Sequence, residues 1–311
     1  MEAIITVLMP VYNGNQKHLT LSINSILGQT LTDFEFLIVN DGSGAEISAL
    51  LNKIACSDER VRLINCEQNG GIVNALNIGL KNTHTKWLAR HDSDDIAEPQ
   101  RLAKQLEYMQ NNPQIDASFT GAIIIDEGGK RQSALGVSTE HETMAAELAF
   151  NSRLRHPSLF IKTEVLEKLG GYTSGYGISE DYRLWVDLVM SGFTLGGINQ
   201  NLIQYRLTPD SFEKRMKMWC STIVISQEFI ERYYQINISE SIFQKFWYNV
   251  FAGLPNYRLT FRELKEVITF IKALRKKHLF DAVWRQEIIW RCRQNVNVST
   301  LPILLYFTLI K

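Results

Sequence analysis

The sequence predicts an α/β fold in which helices cover both faces of a mostly parallel sheet, followed by a mainly helical C-terminal region. Three observations support this prediction. Strand and helix patterns alternate through the first 125 residues, the strand patterns are almost continuously apolar, and the chain becomes helical and aromatic after residue 210. Continuous apolar strands are typical of parallel sheets, which are buried on both faces.

The first 125 residues contain five strand patterns with helix patterns between them. The strands are predicted at Ala3–Met9, Phe34–Val39, Val61–Asn65, Lys86–Arg90 and Ala117–Ile125. The helices are predicted at His18–Gln29, Ala45–Ala55, Gly71–Lys81 and Pro99–Asn111. Pro99 is expected in the first turn of the last helix, where a missing N–H costs no hydrogen bond.

A further helix is predicted near the end of the sequence. Thr260 and Glu263 have the spacing of a capping box, in which each side chain accepts a hydrogen bond from the other residue's backbone N–H. An apolar stripe follows at helical spacing, formed by Phe261, Leu264, Val267, Ile268, Ile271 and Leu274. This stripe is either ordinary core or interface, or a face that docks on a membrane.

The formal net charge is zero, but the charge is unevenly distributed. Residues 1–200 hold 16 basic and 24 acidic residues, whereas residues 201–311 hold 17 basic and 9 acidic residues. Without a basic excess throughout, a nucleic-acid-binding protein is not expected. An acidic catalytic half joined to a basic half that contacts anionic lipid is the more natural interpretation.

The protein is expected to act in the cytoplasm, with at most a peripheral contact to the inner face of the cell membrane. Its first residues lack the basic segment and the long apolar stretch of a secretory signal. The longest apolar run, Leu301–Ile310, is shorter than the roughly 20 residues that a spanning helix needs. The four cysteines form no CxxC pair, so we expect idle thiols in a reducing compartment.

Polar motifs follow the first four predicted strands. They are PVYNG from Pro10, NDGS from Asn40, QNGG from Gln68 and DSDD from Asp92. The carboxyl ends of parallel strands meet at one edge of a sheet, and ligands bind there. The four motifs are therefore expected to form a single site.

The motif Asp92–Asp95 carries three carboxylates in four residues. Such carboxylates repel one another unless a cation or a hydrogen-bonded ligand offsets their charge. Oxygen ligands suit Mg²⁺ or Mn²⁺ that bridges substrate phosphates. The alternative is that the cluster forms the solvated acidic N-terminus of the following helix, an end that favours carboxylates.

The order of these motifs resembles that of the inverting family 2 glycosyltransferases of GT-A fold, the kind that build bacterial polysaccharide, O-antigen and capsule. The resemblance continues through P-x-R-L from Pro99, RHPSLFIK from Arg155, VLEKLGGY from Val165 and EDYRLW from Glu180. It covers about residues 3–208. It implies a Rossmann-like catalytic domain at 1–208 that binds a nucleotide-sugar, and a helical region at 209–311 for acceptor, membrane or oligomer contacts.

The resemblance also implies a role for individual residues. Pro10 and Tyr12 would flank the nucleotide base, Asp41 would accept a hydrogen bond from it, and Asp92 would hold the ribose or a metal-bound water. Asp94 would ligate Mn²⁺ or Mg²⁺, with Asp92 as the second metal residue. The full set implied in donor binding is Pro10, Tyr12, Asn13, Asp41, Asn69, Asp92, Ser93 and Asp94. Arg90 and His91 depart from the family pattern, because an apolar residue is more usual before the acidic cluster.

A second acidic site is implied for the acceptor. An inverting transfer needs a general base opposite the leaving group, and the resemblance implies Asp181 for this role, with Glu180 as the alternative. The same pair can also simply begin an amphipathic helix. Three further residues are candidates for acceptor or phosphate contacts, each with a structural alternative: His156, Tyr176 in a glycine-flanked loop, and Trp185 as core or sugar platform.

The function predicted is a metal-dependent, inverting transfer of a hexosyl or N-acetylhexosaminyl group from a UDP-sugar to a glycan or lipid-linked oligosaccharide. Peripheral membrane contact and homo-oligomers are further expectations. A nucleotidyltransferase is an alternative, but it would need a glycine-rich phosphate loop with a basic residue after the first strand, where Lys17 is the nearest. A non-catalytic nucleotide- or glycan-binding module is another, and it would be expected to lack the Asp-x-Asp or Glu-Asp motif.

Overall fold

The computed structural model describes residues 3–207, 211–252, 259–277, 283–294 and 299–309. The chain forms two compact units. The first, called here the sheet unit, comprises Met1–His141, Leu154–Gly175 and Asp187–Asp210. The second, the helical unit, comprises Glu142–Arg153, Tyr176–Val186 and Ser211–Lys311. Two segments of the predicted catalytic domain thus pack with the C-terminal helices, and a functional boundary at residue 208 stays a prediction.

In the described residues, the sheet unit contains one sheet of nine strands. They are β1 Ile5–Val11, β2 Glu35–Asn40, β3 Val61–Asn65, β4 Trp87–Arg90, β5 Ile96–Ala97, β6 Ala117–Ile125, β7 Arg131–Leu135, β8 Phe160–Lys162 and β9 Leu195–Arg206. Their order is β3-β2-β1-β4-β8-β6-β9-β5, and β7 pairs with β6. The sheet is mixed but mostly parallel, because β5, β7 and β8 alone run against the other described strands.

Seven described helices accompany the strands, and the first four correspond to the predicted ones. They are α1 Gln16–Leu27, α2 Ala45–Ser57, α3 Ile72–Lys81, α4 Arg101–Asn111, α5 His141–Glu147, α6 Thr163–Lys168 and α7 Glu180–Met190. On one face of the sheet, Val7 and Met9 of β1 belong to a buried cluster with apolar residues of α1, α2 and α4. On the other face, α3 approaches β1 so closely that a Cβ on Gly79 would collide with the side chain of Leu8.

Two boundaries differ from the prediction for reasons of pairing. Strand β1 continues through Pro10, which has no N–H to donate. The pairing of β4 with β1 ends at Leu8 and Arg90, so no hydrogen bond to β4 is lost at Pro10. The prediction that Pro99 lies in the first turn of α4 is wrong, since the helix begins at Arg101. The chain is held extended up to this point, because β5 pairs with β9 and the N–H of Glu98 donates to a carbonyl of β9 at 2.9 Å.

The helical unit is built around aromatic side chains. Its described C-terminal helices are Phe212–Tyr233, Glu240–Trp247, Phe261–Arg275, Arg285–Gln294 and Thr300–Leu309, with a π-helical turn at Tyr248–Ala252. The ring of Phe150 lies 5.1 Å from both Phe251 and Trp284. The buried indole of Trp284 donates its N–H to the carbonyl of Ala146, so the core contains no unsatisfied polar group at this ring. No helix in the described residues is both long and apolar enough to cross a membrane.

The capping box at Thr260 is confirmed. Glu263 N–H donates to Thr260 Oγ1 at 3.3 Å, and Thr260 N–H donates to Glu263 Oε2 at 2.7 Å. The apolar stripe that follows is largely buried in the helical unit, with Val267 and Ile271 0% exposed, whereas Phe261 is 75% exposed. Val267, Ile271 and Leu274 of the stripe are therefore core, whereas Leu264 and Ile268 are half-buried.

Removing the cap should destabilise this helix. We expect Thr260→Ala to lower the free energy of unfolding by about 1 kcal/mol, because an N-cap hydroxyl satisfies a backbone N–H of the first turn. Chemical denaturation followed by circular dichroism measures the change. The control is Thr269→Ala in the same helix, whose hydroxyl donates to Lys265 O and caps nothing. Equal effects of the two substitutions would contradict a capping role.

Candidate active site

The four polar motifs lie at the carboxyl ends of β1 to β4, as predicted. Parallel pairing of β2, β1 and β4 brings their ends to one edge of the sheet. The loops are joined there: Asn13 Oδ1 accepts the N–H of Gly44 at 2.9 Å, and Ser43 Oγ accepts the N–H of Asn13 at 2.9 Å. These bonds hold the loop after β1 against the loop after β2. Tyr12, the first residue after β1, is 54% exposed, whereas Pro10 within β1 is buried.

Asp41 lies at the end of β2 and is only 2% exposed. Its carboxylate accepts three hydrogen bonds, from Asn69 Nδ2 at 2.8 Å and from the backbone N–H groups of Gly70 and Gly71 at 2.9 Å each. A carboxylate has about four acceptor positions, and these three bonds leave one of them unused. Asp41 therefore organises the QNGG turn, and its bond to a nucleotide base stays a prediction. The side chain of Asn69 serves the same turn.

The close approach of these two loops requires glycine at position 42. Gly42 has a φ of +72°, and a Cβ there would lie 2.6 Å from the backbone of Gln68 and Asn69. An L side chain would be strained by the positive φ and would also collide with the turn. The spacing of Asp41 from the QNGG turn thus depends on this glycine.

The loop Asp92–Asp95, called here the acidic loop, is held through its backbone carbonyls, so the carboxylates of Asp92 and Asp94 are left for other partners. Ser22 Oγ donates to the carbonyl of Asp92 at 2.7 Å, and Arg206 Nε donates to the carbonyl of Asp94 at 2.9 Å. Asp95 is 1% exposed, and its carboxylate accepts the N–H of Arg206 at 2.7 Å. Asp95 is therefore an internal partner of β9, whereas Asp92, Ser93 and Asp94 are half-buried.

Electrostatics distinguish the carboxylates further. Burial, and then the charge of Asp92, raises the pKa of Asp94. Burial, followed by the charges of Asp92 and Asp94, raises the pKa of Asp95 well above its usual value. The carboxylate of Asp92 forms an ion pair with the buried guanidinium of Arg90. The alternative of a helix N-terminus is wrong, since the loop leads into β5 and the first turn of α4 contains no acidic residue.

The donor set fits a divalent cation shared with a phosphate. In the part of the chain that the structure describes, no three His, Cys, Asp or Glu side chains converge on a point. Mg²⁺ and Mn²⁺ are commonly held by one or two carboxylates, with substrate phosphates and waters supplying the remaining ligands. Asp92 and Asp94 can supply such a pair.

Sequence reasoning missed a buried network beneath the acidic loop. Arg101, which is 0% exposed, donates from Nη2 to the carbonyl of Arg90 at 2.7 Å and from Nε to Gln105 Oε1 at 2.9 Å. Its Nη1 lies 3.2 Å from Nδ1 of His91, which is also 0% exposed. The P-x-R-L motif contained the signal, because an arginine on the apolar stripe of a helix needs buried partners.

His156 lies in the sheet unit, 7% exposed, and its Nε2 is 2.9 Å from the hydroxyl of Tyr172. Burial, and then the charge of Arg90, lowers its pKa well below the usual value, so the imidazole is neutral at pH 7. Asn77 fixes Tyr172 by bonding both its N–H and its carbonyl. This arrangement supports the structural interpretation of His156.

The remaining candidates belong to the helical unit. Glu180 and Asp181 lie in the first turn of α7, and both stay candidates for the base. The guanidinium of Arg183 lies 5.0 Å from the ring centroid of Tyr176, which is compatible with a cation–π contact. Trp185 is 0% exposed, so its ring offers no face to a sugar and the core interpretation applies.

The sequence profile described as Glycosyl transferase family 2 matches residues 6–170. The chain is also 34% identical over 214 residues to the O-antigen biosynthesis glycosyltransferase WbnJ of Escherichia coli, covering 68% of this chain and 82% of that protein. The chain belongs to glycosyl transferase family 2. These matches confirm the predicted family and the predicted enzyme class. Neither a nucleotidyltransferase nor a non-catalytic module is needed to explain the motifs of this glycosyltransferase.

Solved structures confirm the fold of the glycosyltransferase. Staphylococcus aureus TarS 1–349 in complex with UDP-GlcNAc matches with a TM-score of 0.60 at 14% identity, covering 98% of this chain and 91% of that one. The mannosyltransferase PcManGT of Pyrobaculum calidifontis, in complex with GDP-Man and Mn²⁺, matches with a TM-score of 0.58 at 12% identity. That match covers 95% of this chain and 88% of the mannosyltransferase.

Asp41 can be tested as the organiser of the QNGG turn. We expect Asp41→Ala to raise amide hydrogen exchange at Gly70 and Gly71 by about tenfold or more, because both N–H groups lose their acceptor. Hydrogen exchange measured by mass spectrometry or NMR reports this change. As a control, Asp58→Ala removes a carboxylate paired with Arg60 before the amino end of β3 and should leave the turn unaffected. Unchanged exchange in Asp41→Ala would show that the turn is held by other contacts.

Proposed function

We propose that this glycosyltransferase moves a sugar from a UDP-sugar to a hydroxyl group of a glycan or lipid-linked acceptor, with inversion, in surface polysaccharide biosynthesis. The observation that carries the proposal is that the loops after β1 to β4 lie at one edge of the sheet. Among their residues, Tyr12 is exposed, and Asp92 and Asp94 are half-buried. The name of the E. coli relative supports the pathway class. The UDP-GlcNAc complex of TarS supports the donor class.

In the proposed donor site, the exposed ring of Tyr12 stacks on the base, and Asp41 offers its remaining acceptor position to it. Asp94 and Asp92 would hold Mn²⁺ or Mg²⁺, and the PcManGT complex supports Mn²⁺ as the ion. When bound, the cation stabilises the negative charge that develops on the diphosphate leaving group. Ser93, between the two carboxylates, offers a hydroxyl to the donor.

The metal assignment predicts a change in nucleotide binding. We expect UDP to bind more tightly in Mn²⁺ than in EDTA, and Asp94→Ala to abolish this difference, because the variant lacks a carboxylate that ligates the cation. Isothermal titration calorimetry measures both affinities. Asp58→Ala removes a carboxylate that pairs with Arg60 before the amino end of β3, and this variant should retain the difference in UDP affinity. Equal UDP affinity of the unsubstituted protein in Mn²⁺ and EDTA would refute the metal assignment.

The acceptor step requires a general base. In the proposed reaction, Asp181 takes the proton of the acceptor hydroxyl while the oxygen attacks the anomeric carbon. The bond from that carbon to the diphosphate oxygen breaks as the new bond forms, and UDP leaves. Attack on the face opposite the leaving group inverts the anomeric centre. Tyr176 in its glycine-flanked loop stays a candidate lid residue.

Substitution of the base should separate chemistry from binding. We expect Asp181→Asn to lower the rate of transfer by about 10²–10⁴-fold while UDP affinity changes only a fewfold, because the base acts on the acceptor. Glu180→Gln should have the smaller effect. Initial rates of UDP release with and without acceptor, together with UDP titrations, measure both quantities. Near-normal transfer by Asp181→Asn would refute the assignment, and a collapse confined to Glu180→Gln would move the role to that residue.

Three further expectations stay predictions: a cytoplasmic location, peripheral contact with anionic membrane, and homo-oligomers. The helical unit exposes Phe261 at 75% and Trp290 at 55%, and the side chain of Arg262 is 93% exposed. Aromatic and basic side chains of this kind suit an anionic membrane surface or a partner protein. Phe261, Arg262 and Trp290 are therefore the residues that we propose for contact with a membrane.

A further inference from the structure

The acidic loop has a counter-ion of its own. Arg90, on β4 two residues before Asp92, is 2% exposed, and its guanidinium forms an ion pair with the Asp92 carboxylate. An arginine guanidinium stays protonated in proteins, so the pair joins a positive and a negative charge. The side chain of Asp92 is 28% exposed, so the pair joins a buried guanidinium to a partly exposed carboxylate.

Arg90 also has unused hydrogen-bonding capacity. Its Nε is buried and has no hydrogen-bond acceptor among the residues that the structure describes. A buried donor without an acceptor is costly, and a charged guanidinium binds phosphate oxygens in preference to neutral acceptors. The anion that the proposed function brings to this edge is the diphosphate of the nucleotide-sugar.

The described loop alone offers little to a free divalent cation. Asp95 is turned inward to the backbone of β9. Of the two remaining carboxylates, Asp92 is already compensated by Arg90. Among the described residues, the carboxylate of Asp94 forms no ion pair of its own, although the charges of Arg90 and Arg206 act on it. A cation without nucleotide would therefore meet one unpaired carboxylate and would have to compete with Arg90 for that of Asp92.

We propose that Arg90 is the resting counter-ion of Asp92 and makes the loop take up a divalent cation only together with a nucleoside diphosphate. The proposal rests on the proposed function and concerns its donor site. When the diphosphate binds, its negative charge replaces Asp92 as the partner of Arg90, and Asp92 becomes available to the cation. Arg90 is in this sense a positioning residue, since it acts on the cation through Asp92 and the diphosphate.

Mn²⁺ titrations of the full chain, followed by the electron paramagnetic resonance of free Mn²⁺, test this proposal without any measurement of transfer. The unsubstituted protein should bind Mn²⁺ about tenfold or more tightly in saturating UDP than without nucleotide, a coupling of ordinary size. Arg90→Gln leaves Asp92 uncompensated, so it should bind Mn²⁺ alone about tenfold more tightly than the unsubstituted protein and lose most of the UDP effect. Arg90→Lys keeps the charge and should retain weak binding of Mn²⁺ alone.

The direction of the change separates this role from a merely structural one. Loss of a structural arginine would weaken cation binding, whereas loss of the counter-ion strengthens it. The matched control is Arg62→Gln, which breaks the ion pair of Arg62 with Glu35 (2.5 Å) between β3 and β2 and should not change Mn²⁺ affinity. The comparison of the unsubstituted protein with and without UDP needs no variant to fold.

Two results would overturn the proposal: equal Mn²⁺ affinity of the unsubstituted protein with and without UDP, or an Arg90→Gln protein that binds Mn²⁺ alone no more tightly. The first result can be told apart from failure of the proposed function, since UDP binding is measured in the same titrations. If UDP does not bind at all, the proposed donor class fails. The nucleotide-free comparison of Arg90→Gln with the unsubstituted protein still decides whether Arg90 is the counter-ion.

Discussion

A single buried guanidinium, that of Arg101, ties together the elements on which the candidate site is built. It donates to the carbonyl of Arg90, where β4 ends, and to the carbonyl of Leu159 at 3.3 Å, just before β8 begins. Gln105, one turn further along α4, donates to the carbonyl of Ser158 at 2.9 Å. A buried charge is tolerated only with well-placed partners, so α4, the end of β4 and the chain entering β8 must keep one geometry. The acidic loop starts from this fixed point.

The loops around the site are held by polar side chains that bond the backbone. Asp41 bonds the N–H groups of the QNGG turn, Arg206 bonds a carbonyl of the acidic loop, and Asn13 bonds the loop after β2. Loops fixed in this way need little further ordering when a ligand binds, so less of the binding free energy is lost to conformational entropy. Asp41 and Asn13 hold the loops and also belong to the proposed donor site, whereas Tyr12 is the exposed member of that site.

Local patterns in the sequence were sufficient for much of the fold. The bounds of β3 and β6 were predicted as the structure has them. The order of strand-end motifs also identified the loops of the site. The position of Pro99 was not predictable, because it depends on pairing between β5 and β9, which are about 100 residues apart along the chain. The inward turn of Asp95 has the same origin, since its partner is Arg206.

The acidic motif shows why residue type alone does not assign a role. In the sequence, three neighbouring carboxylates require a cation or a hydrogen-bonded ligand to offset their charge, and the partners that the fold brings to them are not visible there. In the structure, β4 contributes Arg90 to Asp92, and β9 contributes a backbone N–H to Asp95. These contacts offset part of the mutual repulsion within the chain, although burial, and then the charges of Asp92 and Asp94, still raise the pKa of Asp95. Repulsion therefore does not argue by itself for a metal. The narrower argument for a metal is that Asp94, among the described residues, forms no ion pair of its own and lies at the edge where the diphosphate of a nucleotide-sugar is proposed to bind.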